Sequence, residues 1–447
     1  MKHLSVETFI KRRQQLMDSL PDKALLLVPS ATLVTRSRDT EHPFRQDSDF
    51  WYLTGFNEPD ALLVLMKGST LGLGEQLLFN QPKDRLMETW TGVRLGQEAA
   101  VNQLGFDKAF TLAEINAQLP NLLVEASEIW MPIEDEALYS RYLAWRQQAK
   151  ARLKKQASLP IRITDLSQRL GEMRLIKAPE EIELMKEAAR ISAEAHCRAM
   201  QVCCPGMYEY QLQAEIEHEF RMQGASGPAY GSIVGSGENA CVLHYVENKD
   251  VMQKGDLVLI DAGAEYQGYA GDITRTFPVS GVFSLQQKQL YNLVLKANQL
   301  AISLIRPGVT LDELHQATVY CLVTGLVELG LLKGDVALLI ESEAYKAFYM
   351  HGTSHWLGLD VHDVGLYRQE GSARLLEAGM VFTIEPGLYI APDQQGIDPL
   401  WCGIGIRIED DVLVTETGCE VLTSTVPKTI EGIESLMKGE VHAATRV

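Results

Sequence analysis

The sequence predicts an α/β protein of the α+β kind, with two domains spanning residues 1–172 and 173–447. The length of 447 residues exceeds one typical domain. Short apolar runs bounded by turn residues occur together with stretches that repeat apolar residues at helical spacing. In the second domain, residues 255–261 echo residues 378–385, and each run precedes a strand that carries another acid. This echo predicts two related α-α-β-β halves facing one another.

The first domain begins with a predicted helix over residues 8–20. Residues 24–28 and 61–65 are short apolar runs between Pro, Gly and Lys-Gly, which is typical of buried strands. Between them, residues 44–56 are rich in aromatic and turn-forming residues, and this composition favours a corner of the core. The first domain is therefore expected to mix helices and strands.

The second domain is expected to begin near Met173. Pro179 and the acids after it are typical of a helix start, since proline suits the first turn and acids complement the helix dipole. Further amphipathic helices are predicted over residues 209–223, 285–305 and 311–329. With no long linker between them, the two domains are expected to pack together.

Composition and charge exclude several classes of protein. The formal charge of −18 disfavours binding to nucleic acid or an anionic membrane, because phosphate neutralisation needs clusters of Lys and Arg. No apolar segment is long enough to span a bilayer, and the first residues have no apolar targeting region. The seven scattered cysteines indicate free thiols in a reducing compartment. These features favour a cytoplasmic protein.

Four acids close or follow apolar runs in matched pairs. Asp261 ends one run and Asp272 returns after the predicted turn at 264–269, while Glu385 and Glu409 follow the runs 381–384 and 405–408. Such acids are costly to bury together, and bound divalent cations are the simplest remedy. The segment 351–355, with His351 and His355, lies between the pairs in sequence. The pattern predicts a metal cage.

An oxygen-rich set with one imidazole suits Mn, Co, Fe or Zn, and four carboxylates exceed the needs of one such ion. Two adjacent ions would use them all. The alternative is that the acids simply end strands in turns, and that is what we expect of Asp410 and Asp411.

One histidine completes the cage, and the others suit hydrogen bonding or proton transfer near neutral pH. The candidates are His244, His351, His355 and His362. No role is expected for the remaining histidines, which are His3, His42, His196, His218, His315 and His442. No nucleophile elbow, Walker motif, dinucleotide fingerprint or zincin motif is present.

Taken in order, these motifs resemble those of the pita-bread metallopeptidases, and within them the Xaa-Pro aminopeptidase (aminopeptidase P) type. The resemblance rests on residues 48–59, 261–263, 271–277, 351–363, 384–389 and 405–410. It spans nearly the whole chain, and the ordered set of motifs is highly specific. It implies a creatinase-type α/β domain followed by a pita-bread domain with pseudo-twofold halves.

The resemblance also implies a ligand set for two divalent ions, with Mn(II) the metal that the family generally prefers. Asp261 and Asp272 would bind one ion, and His355 and Glu385 the other. Asp272 and Glu409 would bridge the two ions. Creatinase-like relatives lack these ligands, so their presence here argues against that branch.

Other residues match the family's substrate-contacting positions. His244, His351 and His362 match its active-site histidines, and Arg407 matches an arginine near the substrate. Trp90 matches a tryptophan that a neighbouring subunit contributes to the substrate entrance, and the family commonly forms homodimers or homotetramers. Residues 228–232 and 367–374 depart from the family pattern. A second substrate-contacting arginine, at Arg368 or Arg374, is therefore not assigned.

The implied activity is release of the first residue from peptides with proline at the second position, by a hydroxide that bridges the two metals. Glu385 would take the proton of this nucleophile and relay it towards the leaving proline nitrogen. His362 would stabilise the oxyanion, and His244 and His351 would frame the proline pocket. The enzyme alternative is an Xaa-Pro dipeptidase, and methionine aminopeptidase fits less well because it generally lacks the large amino-terminal domain. A pita-bread protein that binds peptides without catalysis is weaker still, because all five ligands are intact.

Overall fold

The structure is a computed structural model that describes residues 3–153 and 158–439. It divides into two compact units, one formed by His3–Arg174 and the other by the residues from Leu175 onward. His442 lies outside the described residues. No helix in the described ranges combines the length and apolar character needed to cross a membrane.

The amino-terminal unit is built from helices and a mixed sheet. Its helices are α1 Val6–Asp18, α2 Ser48–Thr54, α3 Arg85–Thr91, α4 Gly96–Leu104, α5 Ile115–Glu125, α6 Glu136–Arg152 and α7 Ser167–Leu175, the last ending at the boundary. Its strands are β1 Ala24–Pro29, β2 Thr35–Ser37, β3 Thr40–Glu41, β4 Leu62–Met66, β5 Gln76–Asn80, β6 Lys108–Thr111, β7 Glu128–Met131 and β8 Ile163–Asp165.

Six of these strands form one sheet in the order β6-β5-β4-β1-β7-β8. Strand β4 runs antiparallel to both of its neighbours, whereas β1, β7 and β8 are parallel to one another. Strands β1 and β4 are almost wholly buried, as their uninterrupted apolar sequences predict. Helices α5 and α6 pack on the sheet and complete the core of this unit.

The second unit carries longer helices and short antiparallel strands. Its helices are α8 Pro179–Val202, α9 Glu209–Met222, α10 Leu285–Leu304, α11 Leu311–Glu328, α12 Val336–Glu341 and α13 Ile430–Met437. Its strands are β9 Gly227–Pro228, β10 Ile233–Ser236, β11 Leu257–Asp261, β12 Ala264–Tyr266, β13 Tyr269–Ala270, β14 Thr274–Pro278, β15 Arg368–Gln369, β16 Ser372–Ala373, β17 Val381–Ile384, β18 Gly387–Ile390, β19 Ile404–Arg407, β20 Asp410–Val414 and β21 Cys419–Val421.

Two antiparallel strand pairs repeat within this unit. Strand β11 pairs with β14 and places Asp261 opposite Thr274, while β17 pairs with β20 and places Ile384 opposite Asp410. Helices α8 and α9 precede the first pair, and α10 and α11 precede the second. The predicted α-α-β-β halves are therefore confirmed.

The turn after β11 depends on a close backbone approach. A Cβ added to Gly263 would lie 1.7 Å from the carbonyl oxygen of Gly271, so this position accepts only glycine without a backbone shift. The contact brings the chain just before Asp272 back against the end of β11.

The predicted helix boundaries are accurate to about two residues. Helix α8 begins at Pro179, and the carboxylate of Glu181 accepts a hydrogen bond from the backbone N–H of Ala178. Helices α9, α10 and α11 begin where the periodicity predicts and end one residue earlier than expected. Side-chain caps at Ser284 and Thr310 explain the sharp starts of α10 and α11.

Candidate metal centre

The predicted acids lie at the ends of strands in the second unit. Asp261 is the last residue of β11, and Asp272 lies two residues before β14 begins. Glu385 follows β17 directly, and Glu409 lies between β19 and β20. Because the strands bring these ends together, four carboxylates separated in sequence face the same space.

A compact set of possible metal ligands lies at the centre of this group. One ligand atom each from Asp272, His355 and Glu409 falls within 4.8 Å of the other two. The Nε2 atom of His355 lies 3.3 Å from an oxygen of Asp272 and 3.6 Å from an oxygen of Glu385. Since Nδ1 of the same ring bonds the carbonyl oxygen of Trp356 at 3.1 Å, Nε2 is the nitrogen presented to the acids.

Burial and mutual repulsion perturb these groups strongly. Burial raises the pKa of Glu385 to about 7 and that of Glu409 well above its ordinary value, and the neighbouring acids add to both shifts. Burial also raises the pKa of Asp261, although Arg407 opposes it. Burial lowers the pKa of His355, but hydrogen bonding to Asp272 and the acidic charges outweigh it and raise the value to about 9. The site therefore attracts positive charge.

This donor set fits a divalent cation. Carboxylate oxygens with one imidazole nitrogen suit ions such as Mn²⁺, and bound cations would offset the repulsion among the buried acids. Asp272 is 5% exposed and Glu409 is 2% exposed, so bulk water cannot screen their carboxylates effectively.

Arg407 connects the acids to the rest of the site. Its Nη2 donates to Asp261 at 2.6 Å, its Nε donates to the hydroxyl of Thr274 at 3.1 Å, and its Nη1 donates to the hydroxyl of Tyr389 at 2.9 Å. Thr274 in turn donates to Glu409 at 2.6 Å. The guanidinium thereby contacts Asp261 directly and Glu409 through Thr274.

A cavity of about 450 Å³ opens onto these groups. It is lined by the predicted site residues of this unit, which are Asp261, Asp272, His355, Glu385, Glu409, His244, His351, His362 and Arg407. Residues 231, 233, 243, 246 and 361 add apolar or backbone surface to the same walls. A small peptide fits a pocket of this size and mixed character.

Two of the histidines in the cavity lie beside the acids. The ring of His362 packs edge-on against that of His355, with 4.3 Å between centroids. His351 bonds the hydroxyl of Tyr389 through Nε2 at 2.9 Å, and its Nδ1 lies 3.8 Å from Glu385. Burial and Arg407 lower the pKa of His351 to about 4, so its ring is neutral at pH 7.

Residues predicted from the family but outside this cavity have different surroundings. Trp90 belongs to the amino-terminal unit, where it lies on α3 with 80% of its surface exposed. Arg368 pairs with Asp312 at 3.3 Å on the surface of the second unit, and Arg374 is buried near Glu377.

Comparison with known proteins assigns both units to families. The model of metallopeptidase family M24 matches residues 183–416, and that of the aminopeptidase P amino-terminal domain matches residues 9–130. The chain belongs to metallopeptidase family M24. It is therefore a hydrolase, and the resemblance and fold class predicted from its motifs are confirmed.

Relatives and solved structures support the assignment over the whole chain. Xaa-Pro aminopeptidase of Escherichia coli (strain K12) is 50% identical over 439 residues, covering 98% of this chain and 99% of that protein. Xaa-Pro aminopeptidase 3 of Homo sapiens is 34% identical, covering 97% of this chain and 86% of that protein. The structure of Pseudomonas aeruginosa aminopeptidase PepP matches with a TM-score of 0.96 at 48% identity, covering 98% and 99% of the two chains. Aminopeptidase P of Escherichia coli, solved with the inhibitor Pro-Leu, matches with a TM-score of 0.94 at 49% identity and the same coverage.

Tyr230 is a site residue that motif analysis missed. Its hydroxyl oxygen lies 2.5 Å from Asp261 and 2.6 Å from Asp272, where it bridges the two acids. The residue falls in segment 228–232, which departs from the family pattern. The available signal was a tyrosine just before a buried strand, which is too common to assign a role.

The prediction that Asp410 and Asp411 occupy a turn is wrong. Both belong to β20 and are buried, because each has a specific partner. Asp410 bonds Arg275 at 2.7 Å, and Asp411 accepts from the backbone N–H of Asp272 at 3.1 Å. These contacts join β20 to the strands and turn that carry the candidate ligands.

Two histidines without an expected role also support segments beside the site. His196, on α8, bonds the carbonyl oxygen of Ala262 at 3.0 Å. His315, on α11, bonds the hydroxyl of Thr353 at 2.8 Å. Ala262 directly follows Asp261, and Thr353 lies two residues from both His351 and His355, so both histidines support the chain beside site residues.

Proposed function

We propose that this chain is a metal-dependent aminopeptidase that releases the first residue from peptides with proline at the second position. The observation that carries the proposal is the cavity in which buried acids, His355 and further histidines meet. Relatives that match nearly the whole chain are Xaa-Pro aminopeptidases, which favours this activity over that of an Xaa-Pro dipeptidase.

The proposed cofactor is a pair of divalent ions, with Mn(II) as the preferred metal. Five residues would hold them: Asp261, Asp272, His355, Glu385 and Glu409. A bound pair supplies Lewis acidity and a nucleophile derived from water at neutral pH. Asp272 and Glu409 are the proposed bridging residues, in keeping with their central place in the ligand cluster.

The remaining cavity residues are proposed to bind and orient the peptide. Glu385, in addition to holding metal, would hold or accept a proton at its carboxylate, beside His351. His362 donates a hydrogen bond to the oxygen of the scissile carbonyl, and His244 and His351 border the proline ring. Arg407 keeps Asp261 in place and contributes positive charge near the substrate.

Proline explains why a specialised site is needed. An X-Pro bond is a tertiary amide with no N–H, and the ring fixes the local shape of the peptide. A pocket shaped to that ring gains binding energy from preorganised walls, without relying on a backbone hydrogen bond from the second residue.

The amino-terminal domain, residues 1–172, is proposed to contribute to oligomerisation and substrate access. The exposed indole of Trp90 is the proposed contribution of a neighbouring subunit to the substrate entrance in a homodimer or homotetramer. We place the enzyme in the cytoplasm, in line with its free cysteines and its sequence.

The direct test is release of the first residue from an Xaa-Pro-Yaa tripeptide in the presence of Mn²⁺. Asp272→Ala should lower kcat/KM by at least about 100-fold, because losing a metal ligand removes several kcal/mol of transition-state stabilisation. Asp312→Ala, a surface acid in the same unit, is the matched control and should retain activity. Retention of most activity by Asp272→Ala would refute the role proposed for it.

Substrate length separates the proposed activity from its nearest rival. An aminopeptidase should cleave tripeptides and longer Xaa-Pro peptides, whereas a dipeptidase should prefer Xaa-Pro itself. Metal analysis of the purified protein addresses the non-catalytic alternative, which predicts a site that takes up no divalent ion.

A further inference from the structure

A buried side chain on α10 contacts the backbone just before two of the proposed metal ligands. The amide nitrogen of Asn298 donates to the carbonyl oxygens of Ile384 at 3.2 Å and Ile408 at 3.4 Å. Glu385 and Glu409 are the next residues in the chain. One fully buried amide therefore links the two peptide segments from which these acids project.

The contact continues as a chain of charged groups behind the acids. Lys428 donates to the side-chain oxygen of Asn298 at 3.0 Å and to Asp410 at 2.5 Å. Arg275 donates to the other oxygen of Asp410 at 2.7 Å and to the carbonyl oxygen of Glu409 at 2.5 Å. This series of contacts thus begins and ends on the backbone of the segments that carry Glu385 and Glu409.

Burial makes this arrangement costly to leave incomplete. Arg275, Asp410 and Asn298 are 0% exposed, and the side chain of Lys428 is 22% exposed. Two cations flank one carboxylate, so the group carries an excess positive charge behind the acidic centre. None of the four side chains lines the cavity among the described residues, so none is placed to touch substrate.

We propose that Asn298, Lys428, Asp410 and Arg275 form a clamp that positions Glu385 and Glu409 for divalent metal binding. This inference rests on the proposed function, since it assumes that these two acids hold metal. The clamp fixes the backbone that carries each carboxylate, through the contacts of Asn298 and Arg275 with the carbonyl oxygens beside it. They are positioning residues, which act through the ligands.

The size of the effect follows from the precision that metal sites need. Groups that orient metal ligands typically change affinity by about 10- to 100-fold when they are removed. Ligand positions must be held within about 0.5 Å, so losing the donor to both carbonyl groups is expected to weaken metal binding.

The experiment measures the affinity of the metal-free protein for Mn²⁺ alone, by following free Mn²⁺ with electron paramagnetic resonance. Asn298→Leu removes the amide donor at similar size, and Lys428→Met removes the ammonium group. Two matched controls are Thr318→Val, which removes a buried hydrogen bond within α11, and Lys288→Met, which removes a partly exposed ion pair between α10 and α13. Urea unfolding of each metal-free protein gives its stability.

The clamp predicts Mn²⁺ binding about 10- to 100-fold weaker in both test variants, with both controls within about twofold of wild type. Lys428→Arg, which keeps the charge, should bind more tightly than Lys428→Met. Test variants that are less stable but bind Mn²⁺ with the wild-type affinity would overturn the clamp and leave only a structural role. If Asn298→Leu does not fold, the affinity of Lys428→Met for Mn²⁺ tests the clamp instead. This variant is expected to fold because the side chain of Lys428 is partly exposed.

The same titration separates the clamp from the function on which it rests. A wild-type protein that binds no Mn²⁺ overturns the proposed metal centre itself. A wild-type protein that binds Mn²⁺, beside test variants that bind it equally well, overturns only the clamp.

Discussion

Replacing Lys177 by methionine should strongly destabilise the second unit. The ammonium nitrogen of Lys177 lies 3.0 Å from an oxygen of Asp363, and both side chains are only 1% exposed. Removing one partner of such a buried ion pair typically costs about 3–5 kcal/mol. For a unit of this size, that loss corresponds to a fall in melting temperature of roughly 10 °C.

Urea unfolding of Lys177→Met and of Lys186→Met measures this difference. Lys186 pairs with Glu420 at 2.9 Å, but 36% and 46% of the two side chains are exposed, so the control should lose less than about 1 kcal/mol. Adding Asp363→Leu to Lys177→Met should recover part of the loss, because replacing a buried ion pair by apolar residues of similar volume is often neutral or stabilising. If Lys177→Met is no less stable than Lys186→Met, the assumed cost of breaking the buried ion pair is wrong.

Three further predictions concern pH, backbone packing and metal. Burial lowers the pKa of His196 to about 4, so the unfolded chain alone takes up this proton between about pH 6.5 and pH 4. This contribution to the free energy of unfolding is fully present above pH 6.5 and is lost as pH falls through the window. Urea unfolding at a series of pH values should show a loss of about 3 kcal/mol. His196→Asn should remove that part of the pH dependence, and an unchanged slope would contradict it. Gly263→Ala should lower the melting temperature far more than Gly231→Ala, whose added Cβ meets only Val246 at 3.6 Å; equal effects would mean that the turn relaxes freely. Removal of divalent cations by a chelator should abolish Xaa-Pro cleavage until Mn²⁺ is restored, whereas undiminished cleavage would exclude a required metal.

Local patterns in the sequence predicted most of the helices and strands discussed above. Helix α8 could be placed because proline and acids define a helix start within a few residues of each other. Strands β1 and β11 could be placed because unbroken apolar runs end at turn residues. The paired acids were visible for the same reason, since each one ends or directly follows such a run or returns just after the adjoining turn.

What the sequence could not provide was the partner of each buried polar group. Asp410 has the local sequence of a turn acid, and its partner Arg275 lies 135 residues away. Tyr230 is 42 residues from Asp272, in a segment without a family pattern. Asn298 lies within a regular amphipathic helix, where a single asparagine gives no sign of the two carbonyls that it contacts. Such contacts arise from the tertiary fold alone.

The contacts that the sequence could not predict share a role in the charge balance of the site. Four carboxylates, two of them buried and two half-buried, line the cavity together with Arg407. A fold that held the acids apart would avoid their repulsion, but it could not present them jointly to a cation. Arg275 and Lys428 place positive charge behind the strands, and Tyr230 holds Asp261 and Asp272 together by their oxygens. The fold thereby sustains a concentration of negative charge that bound divalent cations would offset.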